Sequence, residues 1–231
     1  MSAIAIITAR GGSKRIPRKN IKDFLGKPII AYSIEAALQS GVFDEVMVST
    51  DDEEIAELAR KYGANVPFLR SEATSNDFAT TLDVLTEVLD SYKAIGKQYD
   101  IFACIYPTAP FITSEKLKNA FNLLQRNNSN SVVPVVKYSF PPQRAFVERD
   151  GFIVYQYPEF ALKRSQDLEP IYHDSGQFYI CKTDSFLKDG KVISDKSVPF
   201  VLPEEEVQDI DTLSDWVIAE EKYKHLHLGS N

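Results

Sequence analysis

Hydrophobic positions along the N-terminal half of the chain switch between two rhythms. Ala3 to Thr8 is a continuous apolar run, as a strand covered on both faces requires. Ile30, Ile34, Ala37 and Leu38 then recur at helical spacing on one face. Pro28 suits the first turn of that helix and Gly41 its end. Glu45 to Ser49 reads as the next strand, and Ile55, Leu58, Ala59 and Tyr62 mark a helix closed by Gly63. Val66 to Leu69 reads as a short extended piece. Leu82, Leu85, Val88, Leu89 and Tyr92 mark a third helix, and Ile101 to Tyr106 another buried strand. Leu117, Ala120, Phe121 and Leu124 mark a fourth helix, and Ser131 to Val136 a further strand. Strands alternating with helices predict βαβ units: an α/β fold with a mostly parallel sheet and helices on both sides. Ligands of such sheets sit at the carboxyl ends of the strands.

The rhythm breaks between about residues 140 and 174. Pro141, Pro142, Pro158 and Pro170 fall there among Phe140, Phe146, Phe152, Tyr155, Tyr157, Phe160 and Tyr172. This predicts an irregular or hairpin insertion that covers a ligand, meets a partner subunit or forms a small satellite core. Gln177 to Lys182 and Pro199 to Leu202 read as late strands, Thr212 to Lys224 as the closing helix, and the residues from His225 as a frayed tail. No repeat or low-complexity tract interrupts the pattern, and 231 residues suit a single domain, 1–231.

Composition narrows the class. With 44% apolar and 26% charged residues, the chain has the profile of a globular protein and not of a disordered one. Cys104 and Cys181 lie in apolar runs and are too few for a disulfide scaffold or a cysteine-rich zinc site. No apolar stretch is long enough to span a bilayer, and no basic segment precedes Ala3 as a secretory signal would need. The expectation is a cytoplasmic protein. A net charge of -7 argues against a nucleic-acid partner. Yet six of the 26 lysines and arginines fall between Arg10 and Lys22, a stretch without an acid. A cationic loop on an acidic protein points to a small anionic ligand.

That loop reads ARGGSKRIPRKN over residues 9–20, directly after the first strand. Glycines there let the backbone approach a phosphate and turn its N–H groups toward it. Arginine adds bidentate phosphate contacts, and lysine a mobile point charge. Neither a Walker A loop nor a G-x-G-x-x-G fingerprint is present, which argues against a nucleotide-dependent kinase or a dinucleotide-binding fold. The density of basic side chains fits a triphosphate with a leaving pyrophosphate. Asp209 and Asp211, spaced by one residue, can converge on Mg2+, but the spacing alone leaves metal binding and helix capping open. Asp51 and Asp52 read as a capping turn, with Thr50 or Asp51 as the N-cap, that leaves room for indirect support of the site. Glu204, Glu205 and Glu206 read as a solvated acidic face.

The run at residues 9–20 resembles the signature of the sugar-acid cytidylyltransferases, the CMP-sialic acid synthetase family. The resemblance extends through Lys27 to Tyr32, Val48 to Asp52, Tyr106 to Pro110 and Gln208 to Thr212, and so covers nearly the whole chain. It implies a nucleotide-diphospho-sugar transferase-like (Rossmann-like) fold, CTP as donor, Mg2+ as cofactor and a homodimer, with the insertion at about residues 140–174 placed at the dimer interface and acceptor site. On that pattern Ala9, Arg10, Gly11, Gly12, Ser13, Lys19, Asn20, Arg70, Thr80 and Thr81 bind the nucleotide. Lys19, Arg10 and Asp211 are catalytic, and Asp209 and Asp211 hold the metal. Ser71 stands where a proline is usual, which departs from the family around Arg70.

Tyr106 and Ala109 stand where enzymes for N-acetylneuraminate have glutamine and serine, and Asp174 to Gln177 replaces an Asn-Gly-Ala-like run. These segments, with Arg164 to Leu168, are similar to the pseudaminic acid branch of the family. N-acetylneuraminic, legionaminic and Kdo acids are alternative acceptors, and a non-catalytic nucleotide-binding module is a more distant reading. The acceptor side then falls to Tyr106, Gln143, Arg144, Arg164, Gln166, His173, Asp174, Gln177 and Tyr179. Arg144 and Arg164 suit its carboxylate, and Arg144 could reach a partner's site.

Overall fold

A computed structural model describes residues 1–227 of the chain. Its elements in chain order are β1 (Ala3–Thr8), β2 (Asp23–Phe24), β3 (Lys27–Pro28), α1 (Ile29–Ser40), β4 (Glu45–Ser49), α2 (Glu53–Lys61), α3 (Glu72–Ser75) and α4 (Thr81–Ala94). β5 (Ile101–Ile105), α5 (Ser114–Arg126), β6 (Ser131–Lys137), β7 (Phe146–Arg149) and β8 (Phe152–Tyr155) follow. β9 (Tyr172–Asp174), β10 (Phe178–Lys182), α6 (Thr183–Asp189), β11 (Ser197–Leu202) and α7 (Leu213–His227) complete it.

The main sheet has the order β11-β6-β10-β5-β1-β4, with β9 also on β6. β1 pairs in parallel with β4 and β5, and β11 with β6, while β9 and β10 run against their neighbours. The sheet is mostly parallel, as its unbroken apolar runs predict. β9 and β10 act as one strand interrupted at residues 175–177, since β10 pairs with Ser131 and Val132 and β9 with Val135 to Lys137. Pro134 faces the interruption. Its carbonyl accepts the Ser175 N–H at 3.0 Å, and the N–H that it lacks would have pointed the same way.

Alternate residues of β1 feed two layers of core. Ala5 and Ile7 pack with Ile34, Ile55, Leu117 and Phe121 from α1, α2 and α5. Ile4 and Ile6 pack with Leu85, Val88 and Tyr92 from α4 and Phe186 from α6. Phe102 of β5 is fully buried in this second layer, its ring 4.9 Å from that of Phe186. Phe102→Ala is expected to lower the unfolding free energy by about 3–5 kcal/mol, read from urea denaturation. A loss under roughly 1 kcal/mol would show that the layer refills the space. A third, smaller core matters more for the site. Ile16 of the cationic loop, Phe24, Ile29, Tyr32, Phe111, Ile210 and Trp216 pack together and bring that loop against the segment leading into α7.

Several expectations need correction. Val66 to Leu69 forms no strand, and only Asn65 bridges to Met47. Leu38 and Leu82, assigned to buried helix faces, are exposed at the margins of their stripes. The N-cap of α2 is Asp52 and not Thr50 or Asp51. Asp52 has extended backbone, and its carboxylate accepts the Ile55 N–H at 3.0 Å. Helix α7 runs on through His225 to His227, so a tail from His225 is overturned as far as residue 227, and its remainder lies outside the described residues. Glu206 is not a free surface acid, because Lys116 pairs with it at 2.7 Å. The insertion contains the β7–β8 hairpin, but not a satellite core: Phe140, Phe152, Ile153 and Leu162 are 73% exposed or more.

Candidate active site

The carboxyl ends of β1, β4 and β5 release three loops to one side of the sheet. The first, residues 9–22, folds back on itself. Ala9 N–H continues the ladder to Ser49 O at 2.9 Å, and the buried Asn20 carboxamide donates to Arg10 O at 2.8 Å, closing the neck. The Gly11 N–H donates to an Asp51 carboxylate oxygen at 2.9 Å. A Cβ on Gly11 would stand 2.7 Å from Asp52 Oδ2, so this glycine is required by the acidic turn after β4. The Gly11 N–H, expected to meet a phosphate, is here engaged by Asp51. Gly12 has open space around it.

A cavity of about 490 Å³ opens beside the loop. Arg10, Ser13, Lys19 and Asn20 line it from the loop, Arg70, Thr80 and Thr81 from the next crossover, Tyr106 from the end of β5, and Asp211 from the start of α7. The side chains expected around a nucleotide are thus brought together, together with Lys14 and Arg15. Ala9 is buried behind the wall, and Gly11 and Gly12 lie off it.

The electrostatics of the wall are specific. Lys19 is largely buried, and its Nζ donates to Ile210 O at 2.6 Å and stands 3.8 Å from Asp211 Oδ1. Burial pulls the Lys19 ammonium below the usual lysine range, while Asp211 and Asp209 oppose that pull and Arg15 adds to it. Arg15 itself holds Asp211 at 2.7 Å. Burial also lowers Arg70, whose guanidinium donates to the Ser49 hydroxyl at 3.1 Å and the Ser49 carbonyl at 2.6 Å. Across the cavity mouth, Asp77 accepts from Arg10 at 3.0 Å and also pairs with Lys14. The Lys14 hydrogen bond holds Asp77 below the usual carboxylate range. Asp77 was not apparent from the sequence. It sits in a polar turn, where Asn76 Oδ1 accepts the N–H groups of Phe78 and Ala79 at 2.8 and 3.1 Å, with no periodic signal to mark it.

In the acidic segment, capping falls to residues other than Asp209 and Asp211. Thr212 caps α7, its hydroxyl accepting the Asp215 N–H at 3.3 Å. Asp215 reaches back to the N–H groups of Thr212 and Asp211 at 2.7 and 3.0 Å. The Asp211 carboxylate is therefore not used for capping and faces the cavity. Ile210, buried in the third core, anchors the segment between Asp211 and the exposed Asp209. Hard carboxylate oxygens suit Mg2+, which takes one or two of them with substrate oxygens and water. Arg15 and Lys19 hold the Asp211 carboxylate. Among the described residues no cluster of three or more acids, histidines or cysteines could bind a metal unaided, so phosphate oxygens and water would have to complete its shell.

The acceptor-side residues are more scattered. Tyr106 alone of them lines the cavity. Tyr179 lies edge-on to it at 6.1 Å and donates to the Asp174 carboxylate. Burial raises the hydroxyls of both tyrosines. His173 packs at a tilt against Tyr138, their ring centroids 4.9 Å apart. Gln143 and Gln177 are buried, their amide nitrogens donating to Glu169 O and Glu206 O, each at 2.7 Å. Gln177 thereby braces the stretch that leads to Asp209. Arg144 donates to the Ser165 hydroxyl at 3.3 Å, Arg164 forks onto Asp167 at 2.7 and 3.1 Å, and Gln166 is exposed. The structure does not gather these insertion residues around the cavity of the same chain.

A mostly parallel sheet whose first strand runs into a cation-rich loop, with a carboxylate beside that loop on a shared cavity, places the protein among the nucleotidyltransferases. Comparison with known proteins agrees. The family described as Cytidylyltransferase matches residues 4–207. The chain is 45% identical over 228 residues to a pseudaminic acid cytidylyltransferase of Campylobacter jejuni, covering 98% of each. It is 35% identical to a CMP-N,N'-diacetyllegionaminic acid synthase of Legionella pneumophila, covering 95% of each. Its fold is similar to that of a CMP:2-keto-3-deoxy-manno-octonic acid synthetase solved with CTP, with a TM-score of 0.70 and 19% identity over 96% of this chain and 98% of the other. The chain belongs to the cytidylyltransferase family.

Proposed function

We propose that this cytidylyltransferase moves CMP from CTP to the anomeric hydroxyl of pseudaminic acid. The anomeric oxygen bonds to the α-phosphorus, the bond from that phosphorus to the bridging oxygen breaks, pyrophosphate leaves, and the hydroxyl proton passes to solvent. The observation that carries this reading is the cavity wall itself: Arg10, Ser13, Lys19 and Arg70 share one cavity with Asp211. Transfer of this kind needs positioning and charge neutralisation more than covalent chemistry from the protein. Arg10 and Ser13 bind the triphosphate, Gly12 leaves it room, and Lys19 meets the charge that develops at the α-phosphate and leaving group. Asn20 keeps the loop closed, and Arg70, Thr80 and Thr81 hold the nucleotide side. Asp209 and Asp211 would hold Mg2+, which when bound supplies charge neutralisation to the phosphates.

The pseudaminic acid assignment rests on Tyr106 at the cavity and on the identity to the Campylobacter jejuni enzyme. We also assign the exposed apolar hairpin, with Phe146, Phe152 and Ile153, to a homodimer contact that carries Arg144 and Arg164 toward a partner's acceptor carboxylate. In this reading Gln143, Gln166, His173, Asp174, Gln177 and Tyr179 shape the acceptor end.

Pyrophosphate release with CTP and Mg2+ is expected with pseudaminic acid and not with N-acetylneuraminic acid or without acceptor. Release with N-acetylneuraminic acid instead would overturn the reading of Tyr106. CTP binding without turnover on any sugar acid, N,N'-diacetyllegionaminic acid included, would refute the catalytic reading.

A further inference from the structure

The basic side chains of the loop do not share one task. Arg10, Lys14, Arg15 and Lys19 line the cavity, and Lys22 lies over the Trp216 ring at 4.7 Å. Arg18 turns the other way. Its guanidinium grips Asp52 through both terminal nitrogens, one of them at 2.9 Å, and also pairs with Glu54. Its backbone is left-handed, with φ of 55°, a conformation that a non-glycine residue adopts only when its surroundings enforce it. The next residue is Lys19.

Asp52 is a junction. The carboxylate that holds Arg18 also caps α2 through Ile55 and occupies the place of a Gly11 Cβ, while the adjacent Asp51 takes the Gly11 N–H. The acidic turn after β4 therefore grips the loop on its outgoing limb at Gly11 and on its return limb at Arg18. Hydrogen bonding to Arg18 holds Asp52 well below the usual carboxylate range, which keeps it charged for this contact.

We propose that Arg18 and Asp52 are positioning residues, their ion pair holding Arg18 left-handed so that Lys19 points into the cavity and reaches Ile210 O. The consequence for turnover rests on the cytidylyltransferase reading above, whereas the consequence for the place of Lys19 does not.

Two variants separate the pair from the fold. Arg18→Gly removes the guanidinium but accepts a positive φ without penalty. Asp52→Asn keeps a capping oxygen for Ile55 but loses the charge. The first readout is acylation of lysine amines by an N-hydroxysuccinimide ester, followed residue by residue by mass spectrometry. In the unaltered protein Lys19 should react slowly, and in both variants at least several-fold faster, with Lys61 and Lys93 unchanged. The second readout is kcat for pyrophosphate release, expected to fall roughly 10- to 100-fold with the KM for CTP moving far less. In a Lys19→Ala background, Arg18→Gly should then cost less than about twofold, because the residue it positions is gone. Unchanged Lys19 labelling in both variants would overturn the proposal, and so would equal losses of kcat from Arg18→Gly with and without Lys19. Were the unaltered protein inactive with every acceptor, the functional reading would fail while the labelling still decided the positioning.

Discussion

Lys19→Ala is expected to lower kcat for pyrophosphate release by roughly 10³-fold, about 4 kcal/mol of transition-state stabilisation. The size follows from where the ammonium sits. It is largely withdrawn from water, so its field at a developing phosphate charge is weakly screened. It is also preorganised, because Ile210 O and Asp211 hold it in place before substrate arrives. Arg10 and Arg70 remain on the cavity wall in the variant, so nucleotide binding should weaken less than turnover. Folding should suffer little, since the change removes one hydrogen bond of about 1 kcal/mol. Single-turnover rates and a urea melt test both halves. A near-normal rate in a folded variant would remove Lys19 from the chemistry.

The second large effect is expected from Asp211→Asn. The rate should fall roughly 10²-fold or more, about 3 kcal/mol, and half-maximal activity should need more Mg2+. The variant spares the start of α7, because Asp211 has no capping duty to lose, and the Mg2+ requirement separates metal binding from any loosening of Lys19. Thr212 and Asp215 close the start of α7, and the Asp211 N–H that reaches Asp215 survives the change. The pair with Arg15 is largely exposed and contributes at most about 1 kcal/mol to stability. A Mg2+ titration that superimposes on that of the unaltered protein would refute a role in metal binding.

Much of this arrangement could be read from the residues. The alternation of apolar runs and helical stripes identified β1, α1, β4, α2, α4, β5, α5 and β6, because buried strands and amphipathic helices leave distinct periods. The loop at residues 9–20 pointed to a polyphosphate through composition, and Lys19, Arg70, Thr80, Thr81 and Asp211, which the family resemblance implied, do meet at one cavity. Contacts that depend on how loops meet were not legible. Thr50, Asp51 and Asp52 are all competent caps, and only the path of the chain leaving β4 selects Asp52. Gly11 looked like a phosphate glycine because the reason for its size, the Asp52 side chain, comes from a different strand end. Arg18 looked like one more phosphate cation, since a left-handed arginine leaves no mark in sequence. The insertion was legible as an irregular or hairpin segment, but its contacts were not. Its hairpin and turns are held by local pairs such as Arg164 with Asp167, while its apolar side chains face outward.

Asp77 changes what occupation of the cavity means. By holding Arg10 and Lys14 it serves as a resident counter-ion for two of the five basic side chains on the cavity wall before any ligand arrives. Nucleotide entry is then an exchange of one anion for another, and the affinity gained is the difference between the two. A single carboxylate that displaced Asp77 would gain nothing at Arg10 and Lys14, whereas a triphosphate can also reach Lys19 and Arg70. At Arg10 and Lys14 the competition set by Asp77 thus favours a polyphosphate over a simple monoanion.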